Sequence, residues 1–174
     1  MCIRDRFLDF ETCHLIVRAL ILSRLDYGNG LLLGSNQSDI QKLQRIQNWA
    51  AKLICKATKR DHASPYLREL HWLPVEDRIT FKIMVFVFKC LNGMTPAYLS
   101  SSVSRHRPAR TGLRSASDRT RLFVHNTTKT LISAEKRCFS YTAPQVWNNL
   151  PVNIRDSQSL MSFKRTLKTH LYSH

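Results

Sequence analysis

The chain is poor in acidic residues, in glycine and in any grouping that commonly holds phosphate or metal. Its five glycines, Gly28, Gly30, Gly34, Gly93 and Gly112, never fall at the spacing of a P-loop or a dinucleotide-binding turn, which excludes a Gly-rich phosphate cradle. Of the histidines His14, His62, His71, His106, His125, His170 and His174, only His170 and His174 stand at ligand spacing, with no Cys near them, so a zinc site could be completed only by residues distant in sequence. Among the twelve acidic residues the only adjacent pair is Glu76-Asp77, and neighbours on a helix point about 100° apart, unlike the convergent carboxylates of two-metal nucleotidyl transfer. No catalytic residue, cofactor or metal ligand is assigned. The five cysteines, Cys2, Cys13, Cys55, Cys90 and Cys138, are odd in number, widely spaced and without a Cys-x-x-Cys pair, so a disulfide framework is not expected. Cys55 and Cys90 fall on apolar helical faces, where cysteine serves as a small hydrophobe; the expectation is a reducing, intracellular setting, nucleus or cytoplasm. The opening MCIRDRFLDFETC has no continuous apolar core of the secretory kind. The run from Ile79 to Leu91 is interrupted by Lys82 and Lys89 and is shorter than the roughly 20 residues of a membrane span, so no membrane partner is expected.

What the chain has in excess is positive charge. Twenty-seven Lys and Arg against twelve Asp and Glu leave +15 over 174 residues, and 43% hydrophobic content is enough for a domain with a core. Such an excess usually faces a polyanion, RNA or DNA; the alternative is a basic chain with no partner.

The organising stretch is His71 to Gly93, HWLPVEDRITFKIMVFVFKCLNG. Pro74 suits a first helical position, and Glu76 and Asp77 complement the dipole of the first turn. Asn92-Gly93 supplies a left-handed close, and Pro96 prevents a restart. Ile83 to Phe88 fits a buried strand on periodicity alone, but the length between the punctuated ends favours a helix that other segments must cover.

In chain order, Glu11–Leu25 reads as an amphipathic helix with Leu15, Ile16, Ala19, Leu20, Leu22 and Leu25 inward, stopped at Tyr27-Gly28-Asn29-Gly30. Leu31-Leu32-Leu33-Gly34 is a short apolar connector. Ser38 with Gln41 in capping-box register opens the clearest amphipathic helix, whose apolar stripe is Ile40, Leu43, Ile46, Trp49, Ala50, Leu53, Ile54 and Ala57. Its other face carries Gln41, Lys42, Gln44, Arg45, Gln47, Asn48, Lys52 and Lys56, a basic surface for solvent or for phosphate. Pro65–Leu70 is a short helix, and Tyr98 and Leu99 add a turn. Residues 104–137 hold nine basic residues, among them Arg105, Arg107, Arg110, Arg114 and Arg121, against Asp118 and Glu135. Arg121–His125 and Thr128–Ile132 suggest a hairpin around Asn126-Thr127. Phe139–Leu150 begins extended and turns helical after Pro144, presenting Val146, Trp147 and Leu150; Ser159–Tyr172 is a basic amphipathic helix with Leu160, Phe163, Leu167 and Leu171 inward. Trp49, Leu53, Ile83, Phe86 and Trp147 are expected to be buried together. The fold class is mainly α, with a minor β-hairpin, divided as 1–10, a helical region 11–99, a basic loop 100–120, and a hairpin with helices over 121–174.

Several motifs occur in a telling order: Ser-Arg-Leu-Asp-Tyr at 23–27, Leu-Gln-Arg-Ile-Gln-Asn with Ala-Ala-Lys-Leu-Ile at 43–54, His-Trp-Leu-Pro-Val with Arg-Ile and Phe-Lys at 71–82, Trp-Asn-Asn-Leu-Pro at 147–151, and Ser-Leu with Phe-Lys at 159–164. In these the chain resembles, over residues 12–172, the C-terminal part of reverse transcriptases of non-LTR retrotransposons, the jockey-like long interspersed elements. Gly28 stands where that family commonly has Cys, and MCIRDR matches nothing in it. The resemblance implies a thumb-like region and the segment beyond it, without palm, fingers or endonuclease. The palm's Tyr-x-Asp-Asp aspartates would lie upstream; no such motif occurs here, so no catalytic residue is carried over, and magnesium belongs to the intact polymerase. The chain alone is then expected to be no enzyme but a fragment that contacts RNA, DNA or an RNA–DNA hybrid through Lys42, Arg45, Lys52 and Lys56 on a helix and Arg105, Arg107, Arg110 and Arg114 in the loop, with the rest of the polymerase as its other partner. The alternative is a non-functional or protein-interaction remnant of a decayed mobile element.

Overall fold

Asp9 opens the first helix by accepting a hydrogen bond from the Thr12 N–H at 3.4 Å, and helix succeeds helix from there through the described chain. The computed structural model describes residues 8–106, 120–124 and 138–173, and these are mainly helical, with no strand among them. In order come α1 (Phe10–Val17), a π-helical segment (Arg18–Leu22), α2 (Ser23–Asp26), a 3₁₀ turn (Asn29–Leu32), α3 (Gln37–Ile54), α4 (Ser64–Glu69), α5 (Val75–Leu91), α6 (Ala97–Ser100), α7 (Phe139–Asn149), α8 (Val152–Arg155) and α9 (Leu160–Tyr172). The chain divides into two compact units, Met1–Arg78 and Ile79–His174. No helix among the described residues is long and apolar enough to cross a membrane.

In the first unit α3 packs on α1 and α4 around Val17, Leu22, Ala50, Ala51, Ile54, Leu67 and Trp72. The first helix does not follow the stripe expected from sequence: Leu15, Ile16 and Leu20 are exposed, whereas Cys13, Val17, Ile21, Leu22 and Leu25 face the core. After Val17 the π-helical segment, with more residues per turn than an α-helix, carries the inward positions on to Ile21, Leu22 and Leu25. Leu33 of the Leu31–Leu33 connector is buried and Leu31 is exposed.

α3 departs further from its expected orientation. Its buried residues are Ile40, Gln47, Ala50, Ala51 and Ile54, while Ile46, Trp49 and Leu53 are exposed. Gln47 has no exposed surface; its Nε2 donates to the Leu73 carbonyl at 2.8 Å and its Oε1 accepts from Gln44 Nε2 at 3.0 Å. Gln44 Oε1 accepts the Val75 N–H at 2.8 Å. The chain on either side of Pro74 thus finds partners for backbone groups at the α5 start, where no intrahelical partner exists. Turning the two glutamines towards this segment satisfies these groups, Ala50 and Ala51 are buried on the same helix, and Trp49 is thereby carried to the outside. The helix starts at Gln37 behind Asn36, so Ser38 lies inside the first turn and no side chain caps it.

α5 begins at Val75, one residue after Pro74, whose carbonyl accepts from Arg78 N–H at 2.9 Å; Glu76 and Asp77 occupy its first turn. Asp26 receives a bidentate hydrogen bond from Arg78, through Nε at 2.9 Å and through Nη2. Three helices end alike. The pairs Lys56 N–H to Leu53 O with Ala57 N–H to Lys52 O, His71 N–H to Arg68 O with Trp72 N–H to Leu67 O, and Gly93 N–H to Cys90 O with Met94 N–H to Lys89 O close them around left-handed Lys56, His71 and Gly93.

The second unit is built on an aromatic stack. Phe163 lies against Phe88 at 4.6 Å and against Trp147 at 5.6 Å between centroids, with Met84, Val87, Leu122 and Leu167 buried around them. α7 runs from Phe139 through Pro144, rather than beginning after it. The proline forfeits one hydrogen bond in the second turn, and its ring and Ala143 are buried with Trp147 in return. Phe86 is half-buried, edge-on to Phe139 at 5.6 Å. Burial of Trp49 and Leu53 with Ile83, Phe86 and Trp147 is therefore not found: the first two are exposed, Phe86 is half-buried, and only Ile83 and Trp147 are buried. Arg105 and Leu122 form an isolated antiparallel bridge, with His106 N–H to Arg121 O and Phe123 N–H to Ser104 O both 2.9 Å. The second expected hairpin strand, Thr128–Ile132, lies outside the described residues. Asn148 pairs with both backbone groups of Leu122 at 2.9 Å, Trp147 Nε1 donates to Thr120 O at 2.9 Å, and buried Arg155 donates to Leu150 O and Thr120 Oγ1, both at 2.9 Å.

Candidate functional site

The side chains proposed from sequence for nucleic-acid contact divide between the two units. Lys42, Arg45 and Lys52 succeed one another at three- and seven-residue intervals along the outward side of α3, spanning about 15 Å at 1.5 Å per residue. Lys42 is 70% exposed at its side chain and pairs with Asp39 at 2.9 Å, an exposed ion pair of the kind that a phosphate can replace at little cost. Arg45 is exposed. Lys52 is half-buried along its stem and donates from Nζ to the Lys59 carbonyl at 3.1 Å, which fixes its position without neutralising it. Lys56 does not extend this face: α3 ends at Ile54, and Lys56 sits past the cap in the left-handed region at φ 51°. The Schellman bonds there satisfy the last carbonyls of α3 and turn the chain away, which the charge pattern alone did not reveal.

Arg105 is exposed in the second unit, where the bridge to Leu122 fixes its backbone. Arg107, Arg110 and Arg114 lie outside the described residues. Arg105 also lines a cleft of about 190 Å³ in that unit with Thr120, Trp147, Arg155, Ser157 and Gln158. Arg155 reads from sequence as an ordinary basic residue. The structure uses it to hold α8 against Thr120.

Trp49, a core position by the apolar stripe, lies on the surface. It is 69% exposed and stands between Arg45 and Lys52 on the outward side of α3, with Ile46 and Leu53 one turn before and after it. The signal available was its position four residues after Arg45 and three before Lys52, where residues on a helix are neighbours. Its apolar bulk points instead to burial, as found for Trp72 in the first unit and for Trp147 in the second.

Beyond α3 the connector is held by Asp61. Hydrogen bonding from Thr58, foremost by its side chain and then by its N–H at 2.7 Å, holds the Asp61 carboxyl below the usual carboxylate range. Burial pushes the Cys55 thiol up, with Glu69 adding to it, whereas hydrogen bonding to Ser140 brings the exposed Cys138 thiol down. Cys55, Cys90 and Cys138 are free thiols. Among the described residues no group of three His, Cys, Asp or Glu side chains is placed to hold a metal ion. The motifs behind the family resemblance act here as structural ties: Asp26 to Arg78, Gln44 and Gln47 to the Leu73–Val75 backbone, Asn148 to Leu122, and Phe163 in the aromatic stack. No family model matches the chain, and no curated protein or solved structure matches it.

Proposed function

We propose that the chain is a non-catalytic nucleic-acid-binding segment, the C-terminal, thumb-like part of a non-LTR retrotransposon RNA-directed DNA polymerase, contacting the RNA–DNA backbone from the outward side of α3. The observation that carries this is the row Lys42, Arg45 and Lys52 on one regular helix of a chain with net charge +15. Side chains on a folded helix are already spaced when the ligand arrives, so phosphate neutralisation and counterion release come without the cost of ordering a loop, about 1–2 kcal/mol for each residue fixed. Such contacts position a strand and read no sequence, which suits a part that holds primer and template while chemistry takes place in a palm upstream. The magnesium and the catalytic aspartates belong to that palm.

The experiment is titration of the purified chain into a labelled RNA–DNA hybrid across a range of salt. Saturable binding, indifferent to sequence and weakening linearly in log–log form as salt rises, is the expected result. Absence of saturable binding at physiological salt overturns the proposal and leaves the protein-interaction remnant, a reading favoured by the exposed Ile46, Trp49 and Leu53 on the same helix.

A further inference from the structure

We infer that Trp49 is a stacking platform for an unpaired base, and that the α3 face therefore takes a single strand or a single-stranded overhang in preference to a blunt duplex. The inference rests on the nucleic-acid reading proposed for α3 and narrows its substrate. Trp49 has no inward seat, because the buried side of α3 is filled by Ile40, Gln47, Ala50, Ala51 and Ile54. At 69% exposure its indole is open to solvent, with Arg45 a turn before it and Lys52 a turn after. A strand laid along the helix would meet a cation, an aromatic surface and a second cation in succession, the combination by which proteins hold single strands. Ile46 and Leu53, 48% and 45% exposed, extend the apolar surface on either side of the ring, where sugar and base edges would lie. A blunt duplex keeps its bases stacked on one another and presents only edges and phosphates. It would use the cations and leave the indole without a partner. The same stripe, with intervals of three and four residues, could receive an acidic amphipathic helix, but the excess of fifteen positive charges over the chain weighs towards a polyanion.

The test compares the 174-residue chain with Trp49→Ala and Trp49→Phe on oligothymidylate of about 20 nucleotides, longer than a typical single-strand site, and on the blunt oligothymidylate–oligoadenylate duplex. Trp49→Ala should weaken oligothymidylate binding by about 5- to 100-fold, the loss of one stacked base, with the duplex unaffected and Trp49→Phe recovering most of the loss. Since Trp72 and Trp147 are 6% and 1% exposed, quenching of tryptophan emission by oligothymidylate in the parent should be largely absent from Trp49→Ala. An unchanged melting temperature in Trp49→Ala keeps the comparison clean, as expected for an exposed side chain. If the parent binds neither probe, the nucleic-acid reading falls and this inference with it. If the parent binds both probes and Trp49→Ala alters neither, backbone contact stands and the stacking inference is wrong. If Trp49→Ala instead abolishes binding of an acidic amphipathic peptide while oligothymidylate binding persists, the stripe is a protein contact and the inference is equally overturned.

Discussion

Replacing Gln47 by Glu tests the inward turn of α3, because it keeps the shape of the side chain and changes only what one end can donate. Gln47 is fully buried, gives its amide hydrogen to the Leu73 carbonyl and receives one from Gln44. A carboxylate there faces the Leu73 carbonyl, oxygen to oxygen, leaves that acceptor unpaired at about 1–3 kcal/mol, and buries a charge. The charge can be removed by protonation, which bounds the cost: raising a Glu from a reference pKa of about 4.3 to remain neutral at pH 7 costs about 1.4 kcal/mol per unit, or about 4 kcal/mol. Once protonated, the carboxyl can donate to Leu73 again. The carboxyl introduced by Gln47→Glu thus has a folded-state pKa above its unfolded value. The variant is therefore nearest to parental stability below about pH 4 and loses stability as pH rises through the folded pKa. Gln47→Met, of similar size and without charge, should lose about 1–3 kcal/mol with no such pH dependence. Urea unfolding followed by circular dichroism at about pH 4.5 and about pH 7.5, with the parent subtracted at each pH, reads both effects. A Gln47→Glu chain of parental stability at the higher pH would mean that Gln47 is solvated and that α3 faces the other way.

Helix closure gives a second expectation: Gly93→Ala should cost about 1–2 kcal/mol through the left-handed backbone alone, since a Cβ there meets nothing within 4 Å, and His71→Gly should return up to about 1 kcal/mol, both seen as opposite shifts in melting temperature. In the aromatic stack, Phe163→Ala should cost about 3–5 kcal/mol in denaturant titration, and Phe86→Ala, at a half-buried site, markedly less. Equal losses would contradict the packing described. Asp61, whose pKa is lowered by Thr58, stabilises the fold above the ordinary carboxylate pKa of about 4 and ceases to do so as pH falls through its own lower value. Asp61→Asn should therefore narrow the gap in melting temperature between neutral and acid solution.

Punctuation and composition were legible in the sequence. Glu76-Asp77 and Asn92-Gly93 mark the α5 ends, and Phe163, Leu167 and Leu171 of α9 face inward as their spacing requires. What periodicity misplaced was the side of a helix that faces inward. α1 runs into a π-helical turn that shifts its phase, and α3 buries Gln47 to satisfy a carbonyl 26 residues away, a demand that no local pattern contains. Pro144 reads as a helix start, although burial of its ring within α7 makes an interior position tolerable. Of the candidate site, the charge pattern shows the row Lys42, Arg45 and Lys52, the helix cap takes Lys56 off that row, and Trp49 reads as core because aromatic residues usually are.

The central claim is that the outward side of α3 holds a nucleic-acid backbone, and the most direct measurement is the salt dependence of binding for the triple substitution of Lys42, Arg45 and Lys52 by Gln. Each neutralised duplex phosphate contributes about 0.9 to the slope of log affinity against log salt. By anisotropy on an RNA–DNA hybrid, the account predicts a slope shallower by about 2–3 units and weaker affinity, similar in size for unrelated sequences. A triple variant that keeps both the parental affinity and the parental slope would contradict it.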